Sequence, residues 1–141
     1  MNISIRTFQF PADYEAAYNL WKSAGEGPGI SSSDSPVEIS KKLLRDPDLF
    51  LVAEDEGKLV GTVIGGFDGR RGMIYHLTVS LACRRNGLAT RLMDEIEARL
   101  SAKGCIKAYL MVTKGNQIAA SMYKKLGWED MEQISLYGKK L

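Results

Sequence analysis

Leu77-Thr78-Val79-Ser80-Leu81-Ala82-Cys83-Arg84-Arg85-Asn86-Gly87-Leu88-Ala89 reads as the end of a strand, a short basic loop and the start of a strong helix. The first N–H groups of a helix have no intrahelical partner and sit at the positive end of its dipole. Such a turn is a ready anion site, and phosphate is its usual occupant. Gly87 lets backbone approach a ligand, Ala89 keeps a side chain out of the way, and Arg84 and Arg85 add charge. A plain strand–loop–helix turn with solvated arginines accounts for these residues equally well at this point. The stretch is not a P-loop, since GxxxxGK[ST] is missing, and not a dinucleotide fingerprint, since the first two glycines are missing.

Downstream, residues 87–102 form the clearest helix. Leu88, Leu92, Ile96 and Leu100 recur at steps of four, and Ala89 and Met93 widen the stripe. Gly104 closes it. Residues 106–112 read as a strand, 116–126 as a helix ended by Gly127, and 128–136 as a last strand or hairpin. Upstream, residues 73–80 are apolar on both faces, which suits a central strand. Residues 49–53 and 59–64 read as an antiparallel pair turning at Glu56-Gly57. Residues 3–8 alternate as a strand. Pro11 opens a first helix with Tyr14, Ala17, Tyr18 and Trp21 on its apolar stripe, stopping in residues 25–29. A second helix spans about residues 35–45, with Ser35 as N-cap, Pro36 at the first helical position and Glu38 completing a capping-box pattern. The Gly/Ser/Pro-rich residues 25–36 between these helices are the one long irregular segment. The order β-α-α-β-β-β-α-β-α-β predicts an α/β or α+β mixed sheet flanked by helices, in a single domain over residues 1–141.

Composition narrows the function. The 141 residues suit one domain, and a net charge of +2 is too small to argue for nucleic acid. No apolar run approaches the ~18–20 residues of a membrane span, and residues 1–6 lack the pattern of a secretory signal. A cytoplasmic protein with no membrane partner is expected. Cys83 and Cys105 make neither a disulfide framework nor a zinc spacing, so no metal is expected.

Asn116, Ala119 and Tyr123 fall at i, i+3 and i+7, on one face of the last helix. An amide, a small residue and a phenol so placed leave room for a ligand. An N-cap Asn116 with Ala119 and Tyr123 in the core is the alternative.

Arg84-x-x-Gly87-x-Ala89, preceded by Leu77-x-Val79, resembles the acetyl-CoA motif of the GNAT N-acetyltransferase superfamily. Val112-x3-Asn116-x2-Ala119-x3-Tyr123-x3-Gly127-Trp128 resembles its second conserved region. The resemblance covers nearly the whole chain and is nearest to small bacterial members similar to ribosomal-protein-alanine acetyltransferases. It implies a mostly antiparallel central sheet with about four helices. It also implies acetyl-CoA as cosubstrate and transfer of its acetyl group to a primary amine in a ternary complex. The pyrophosphate would be held by Arg84, Arg85, Asn86, Gly87, Leu88, Ala89 and Thr90. Pantetheine would run along Leu77, Thr78 and Val79, with the Val79 N–H facing the oxyanion. Asn116, Ala119 and Tyr123 would also meet the cosubstrate, and Tyr123 would protonate the departing sulfur. Leu81 departs from the pattern, since many members have proline there.

The general base is the gap. Members with an identified base often carry glutamate where this chain has Met73 and Met111. His76, the sole histidine, is a candidate base, and a core histidine satisfied by hydrogen bonds is its bland counterpart. Asp68 and Glu54 are weaker candidates. A water chain, or an amine arriving neutral, needs no dedicated residue and is the preferred reading. The acceptor would pass Tyr18, Trp21, Ser31, Ser32, Ser33 and Asp34, with Asp34 attracting a cationic amine. Its identity is open, from protein N-termini and lysines to small molecules, and a homodimer is plausible. The competing functions are an acyl-CoA sensor without turnover, an interaction protein that lost CoA, and an unrelated phosphate binder.

Overall fold

Phe50, Leu51, Val52 and Ala53 are all fully buried, which requires cover on both faces of their strand. The computed structural model, which describes residues 2–24 and 29–141, shows that cover. Strands β1 (Ile3–Thr7), β2 (Phe50–Asp55), β3 (Lys58–Phe67), β4 (Gly72–Val79) and β5 (Ala108–Leu110) form one sheet in the order β1-β2-β3-β4-β5. The first three pairings are antiparallel, and β4 with β5 is parallel. The expected mixed, mostly antiparallel sheet is therefore present. β4 is internal as expected, although the middle place belongs to β3.

Two helices, α1 (Tyr14–Ser23) and α2 (Pro36–Arg45), precede β2. Ala17 and Trp21 of α1 and Ile39 of α2 join Phe8, Phe50, Val52 and Ile64 in one apolar cluster. The opposite face of the sheet receives α3 (Leu88–Ala102), whose Leu88, Leu92, Met93, Ile96 and Leu100 are buried. Gly61 and Gly65 of β3 let this helix come close: a Cβ at either would meet Leu92 or Ile96 at 3.0 Å. Leu92 is fully buried, so Leu92→Ala is expected to lower stability by roughly 2–5 kcal/mol, read as a shifted urea midpoint at constant slope.

The hairpin turn lies at Glu56-Gly57, where both residues have left-handed φ (49° and 83°). Ser35 caps α2, its Oγ accepting from the Glu38 N–H, with Pro36 next. The reciprocal capping box sits on an earlier turn, the 3-10 helix Ser32–Asp34, between Ser31 and Asp34. Sequence reading treats that segment as irregular; residues 25–28, where the first helix is expected to stop, lie outside the described residues.

Three expectations need correction. Helix α1 begins at Tyr14, not Pro11, because the Asp13 carboxylate accepts the Gln9 N–H (2.7 Å) and pairs with Arg6, holding residues 9–13 as a turn. The strand expected over 106–112 shrinks to Ala108–Leu110, since β4 pairs with it only over Gly72–Ile74, and Ile106 is 90% exposed. No strand forms over 128–136. Ile134 and Leu136 are exposed, and Glu129, Asp130 and Glu132 break the apolar alternation.

Residues 112–141 make a second compact unit. Its helix α4 (Gln117–Lys125) is capped by Asn116, whose Oδ1 accepts the Ala119 N–H at 3.2 Å. It ends at Gly127, φ 94°.

The Arg6 guanidinium holds the Asp13 carboxyl below its ordinary value of 3.8. A depressed carboxyl stabilises the fold above the unfolded pKa, and that contribution is lost as pH falls through the folded pKa. The Asp13→Asn variant is therefore expected to lose part of the wild-type stability at pH 6 and to show a shallower decline below pH ~4. Denaturant midpoints across that window measure this.

Candidate active site

The loop after β4 has the form an anion needs. Residues Leu81–Cys83 make a 3-10 turn, Arg84, Arg85, Asn86 and Gly87 are exposed, and α3 begins at Leu88. Gly87 is the N-cap of α3 in left-handed conformation, φ 75°, and offers no side chain to the first-turn N–H groups. Those amides, on Leu88, Ala89 and Thr90, are the helix's uncapped donors. A Cβ at position 87 would meet nothing within 4 Å, so the glycine serves conformation and leaves the approach open. Arg85, φ 68°, also turns left-handed. Arg84 Nε reaches the Val79 carbonyl at 3.4 Å, tying the loop back to β4. An uncapped helix start flanked by two arginines is a donor set that fits a pyrophosphate.

β4 itself opens beside this loop. Its pairing with β5 stops at Ile74–Leu110, so its outer edge is unpaired by that strand through Leu77, Thr78 and Val79. The Ser80 N–H donates to the Val60 carbonyl at 2.8 Å. In an antiparallel ladder the next residue's N–H then points away from β3. The N–H of Val79, opposite Gly61, thus faces the open edge, the direction an oxyanion donor requires.

A bulge interrupts β4 at His76 and Leu77, where the register with β3 shifts. His76 has φ 49°, a conformation that costs a non-glycine residue about 1–3 kcal/mol. Its ring stacks on Trp21 at 4.2 Å, and its Nε2 lies 2.8 Å from Asp34 Oδ1. Both side chains are over nine-tenths buried. Sequence reading names His76 and Asp34 separately and misses the pair; they stand 42 residues apart, and no spacing rule links a strand histidine to a loop aspartate. Asp34 is not a free lure for a cationic amine, because its carboxylate serves His76 and the Ser31 N–H. Ser31, Ser32 and Ser33 remain exposed.

The weaker base candidates have other duties. Asp68 accepts the N–H groups of Arg70 and Arg71 in its turn, and Glu54 pairs with Arg6.

In the second unit, Asn116, Ala119 and Tyr123 are partly buried while Gln117, Ile118, Ala120, Ser121, Lys124 and Lys125 are exposed, so the three do share a face. Tyr123 meets Trp128 edge-on at 6.5 Å. Burial pushes the Tyr123 phenol up to about 12, so it keeps its proton throughout the neutral range. Asn116 does act as an N-cap, the bland role foreseen for it.

The model of the Acetyltransferase (GNAT) family matches residues 14–128. The chain belongs to the GNAT family of acetyltransferases. An acetyltransferase of Pectobacterium atrosepticum is 42% identical over 139 residues, covering 99% of this chain and 96% of that protein. Among solved structures, the GNAT fold is shared with the ribosomal-protein-S18-alanine N-acetyltransferase of Escherichia coli (TM-score 0.71, 19% identity, 89% of this chain and 77% of that one). It is also shared with a PaiA N-acetyltransferase of Thermoplasma acidophilum solved with coenzyme A (TM-score 0.77, 20% identity, 89% of each chain). At those identities the likeness concerns fold. Family membership makes this GNAT protein an acetyl-CoA-dependent N-acetyltransferase. Among the described residues no helix is long and apolar enough to cross a membrane.

Proposed function

We propose that the protein, as a single domain over residues 1–141, transfers the acetyl group of acetyl-CoA to a primary amine by direct attack within a ternary complex. The observation that carries this reading is the uncapped start of α3 behind Gly87 and two arginines. Arg84, Arg85, Asn86, Gly87, Leu88, Ala89 and Thr90 bind the pyrophosphate. Leu77, Thr78 and Val79 line the pantetheine arm along the open edge of β4, and the Val79 N–H receives the developing oxyanion. Asn116 and Ala119 contact the cosubstrate from α4. Tyr123 gives its proton to the departing thiolate, a task supported by a phenol that stays protonated to about 12.

No step in this scheme places the acetyl group on the protein. Two-substrate kinetics test that order: initial rates at varied acetyl-CoA and amine should give intersecting double-reciprocal lines. Parallel lines would mean an acetyl-enzyme and would rule out direct attack. A sensor that binds acyl-CoA without turnover would release no coenzyme A with any amine of a panel spanning peptide N-termini, lysine, polyamines and aminoglycosides. We place the protein in the cytoplasm.

A further inference from the structure

We propose that His76 Nδ1 takes the surplus proton of the acceptor amine, with Asp34 as the positioning residue that keeps this atom bare. The proposal rests on the acetyl-transfer reading above. A carboxylate only accepts, so Asp34 Oδ1, 2.8 Å from Nε2, places the hydrogen of the neutral ring on Nε2 and the lone pair on Nδ1. That Nδ1 is buried and has no hydrogen-bond partner among the described residues, whereas buried polar atoms are nearly always paired. The surroundings over-determine the ring. Asp34 Oδ2 accepts the Ser31 N–H at 3.0 Å, and the Tyr14 hydroxyl donates to the Asp34 carbonyl at 2.7 Å. Trp21 covers one ring face while its own Nε1–H donates to Thr62 Oγ1, which in turn donates to the His76 carbonyl. Strained backbone, a fixed tautomer and an unused lone pair together are the signature of a base held ready; a core histidine kept for packing needs none of the three.

Place along the strand adds to this. His76 precedes the oxyanion-facing Val79 on the same strand, and between them Thr78 Oγ1 is a second buried atom without a hydrogen-bond partner among the described residues. A hydroxyl both accepts and donates, so Thr78 offers a bridge toward the ring. In the step, the amine nitrogen bonds to the thioester carbon and the C–S bond breaks with its electron pair on sulfur. Tyr123 protonates that sulfur. The surplus proton on nitrogen passes over the hydroxyl to Nδ1, and the Asp34 carboxylate stabilises the imidazolium. Both residues exchange protons with solvent after the products leave. The titratable groups brought to the ring are Asp34 from the 3-10 turn and, through the Asp34 carbonyl, Tyr14 from α1; α1 and β3 otherwise present the neutral Trp21 and Thr62.

His76 is the sole histidine, so untagged, nitrogen-15-labelled protein reports its ring alone. The proposal expects the neutral ring with hydrogen on Nε2 and none on Nδ1, and a redistribution between the two in Asp34→Asn. Kinetics with the fastest amine of the panel complete the test. His76→Gln should lower kcat about 100-fold, abolish the acidic limb of the pH–rate profile and leave acetyl-CoA affinity unchanged. His76→Gly, which suits the left-handed backbone there, should regain rate saturably with added imidazole. Hydrogen on Nδ1 in the neutral ring would overturn the proposal. So would a wild-type rate in His76→Gln, or a lost rate with the acidic limb intact and no imidazole rescue, which marks a packing role. Absence of turnover by the wild type with every amine would bring down the acetyl-transfer reading itself.

Discussion

Gly87→Glu is expected to abolish measurable acetyl-CoA binding while leaving a folded protein. Two effects act together. A glutamate at the N-cap of α3 sets a negative charge where the pyrophosphate would accept hydrogen bonds, and it occupies an approach that is open in the native loop. It also takes a φ of 75° that costs a non-glycine residue about 1–2 kcal/mol. The conformational cost is small against the stability of a domain of this size, and an added Cβ meets no neighbour. A loss of at least ~100-fold in affinity, about 2.7 kcal/mol, is the expected size. Calorimetric titration of both proteins with acetyl-CoA reads the affinity, and thermal melting confirms the fold. Binding unchanged within a few-fold would remove the 84–90 loop from the site.

Tyr123→Phe is expected to lower kcat by roughly 10²–10⁴ with acetyl-CoA affinity unchanged, since a positioned proton donor contributes about that much. The pH dependence sharpens the test. Because burial lifts the phenol from 10 to about 12, the wild-type rate should hold as pH passes 10, where an exposed tyrosine would have lost its proton. The linked stability follows the same sign. A raised folded pKa gives a contribution fully present below the unfolded value of 10 and lost as pH rises toward 12. In Tyr123→Phe that alkaline decline should be smaller. Unchanged turnover in the variant would remove the proton-donor role.

The pattern of correct and missed expectations has physical causes. Helix α3 is legible because Leu88, Leu92, Ile96 and Leu100 repeat with the helical period and Gly87 and Gly104 bracket them. The β2–β3 hairpin is legible because Glu56-Gly57 can adopt the left-handed turn that an antiparallel pair needs. The strand–loop–helix turn after β4 is legible because Gly87 can take the left-handed backbone that starts α3. Pro11 misleads because helix starts tolerate proline, while the actual start is set by a long-range contact of Asp13 with Arg6 on β1. Residues 128–136 mislead because their apolar residues, Ile134 and Leu136 among them, stay exposed and join no strand of the sheet. The His76–Asp34 pair is invisible for a further reason: it depends on a bulge in β4 and on Trp21 of another helix, and neither leaves a local trace.

The most direct test of the account is a stoichiometric mixing experiment. Protein and an equal amount of acetyl-CoA are incubated without amine, then with the amine panel, and free coenzyme A, acetylated amine and protein mass are followed together. The account predicts no coenzyme A release and no change in protein mass before amine is added, then one acetylated amine formed for each coenzyme A released. Release of coenzyme A with acetyl on the protein before amine, or no release with any amine, would contradict it.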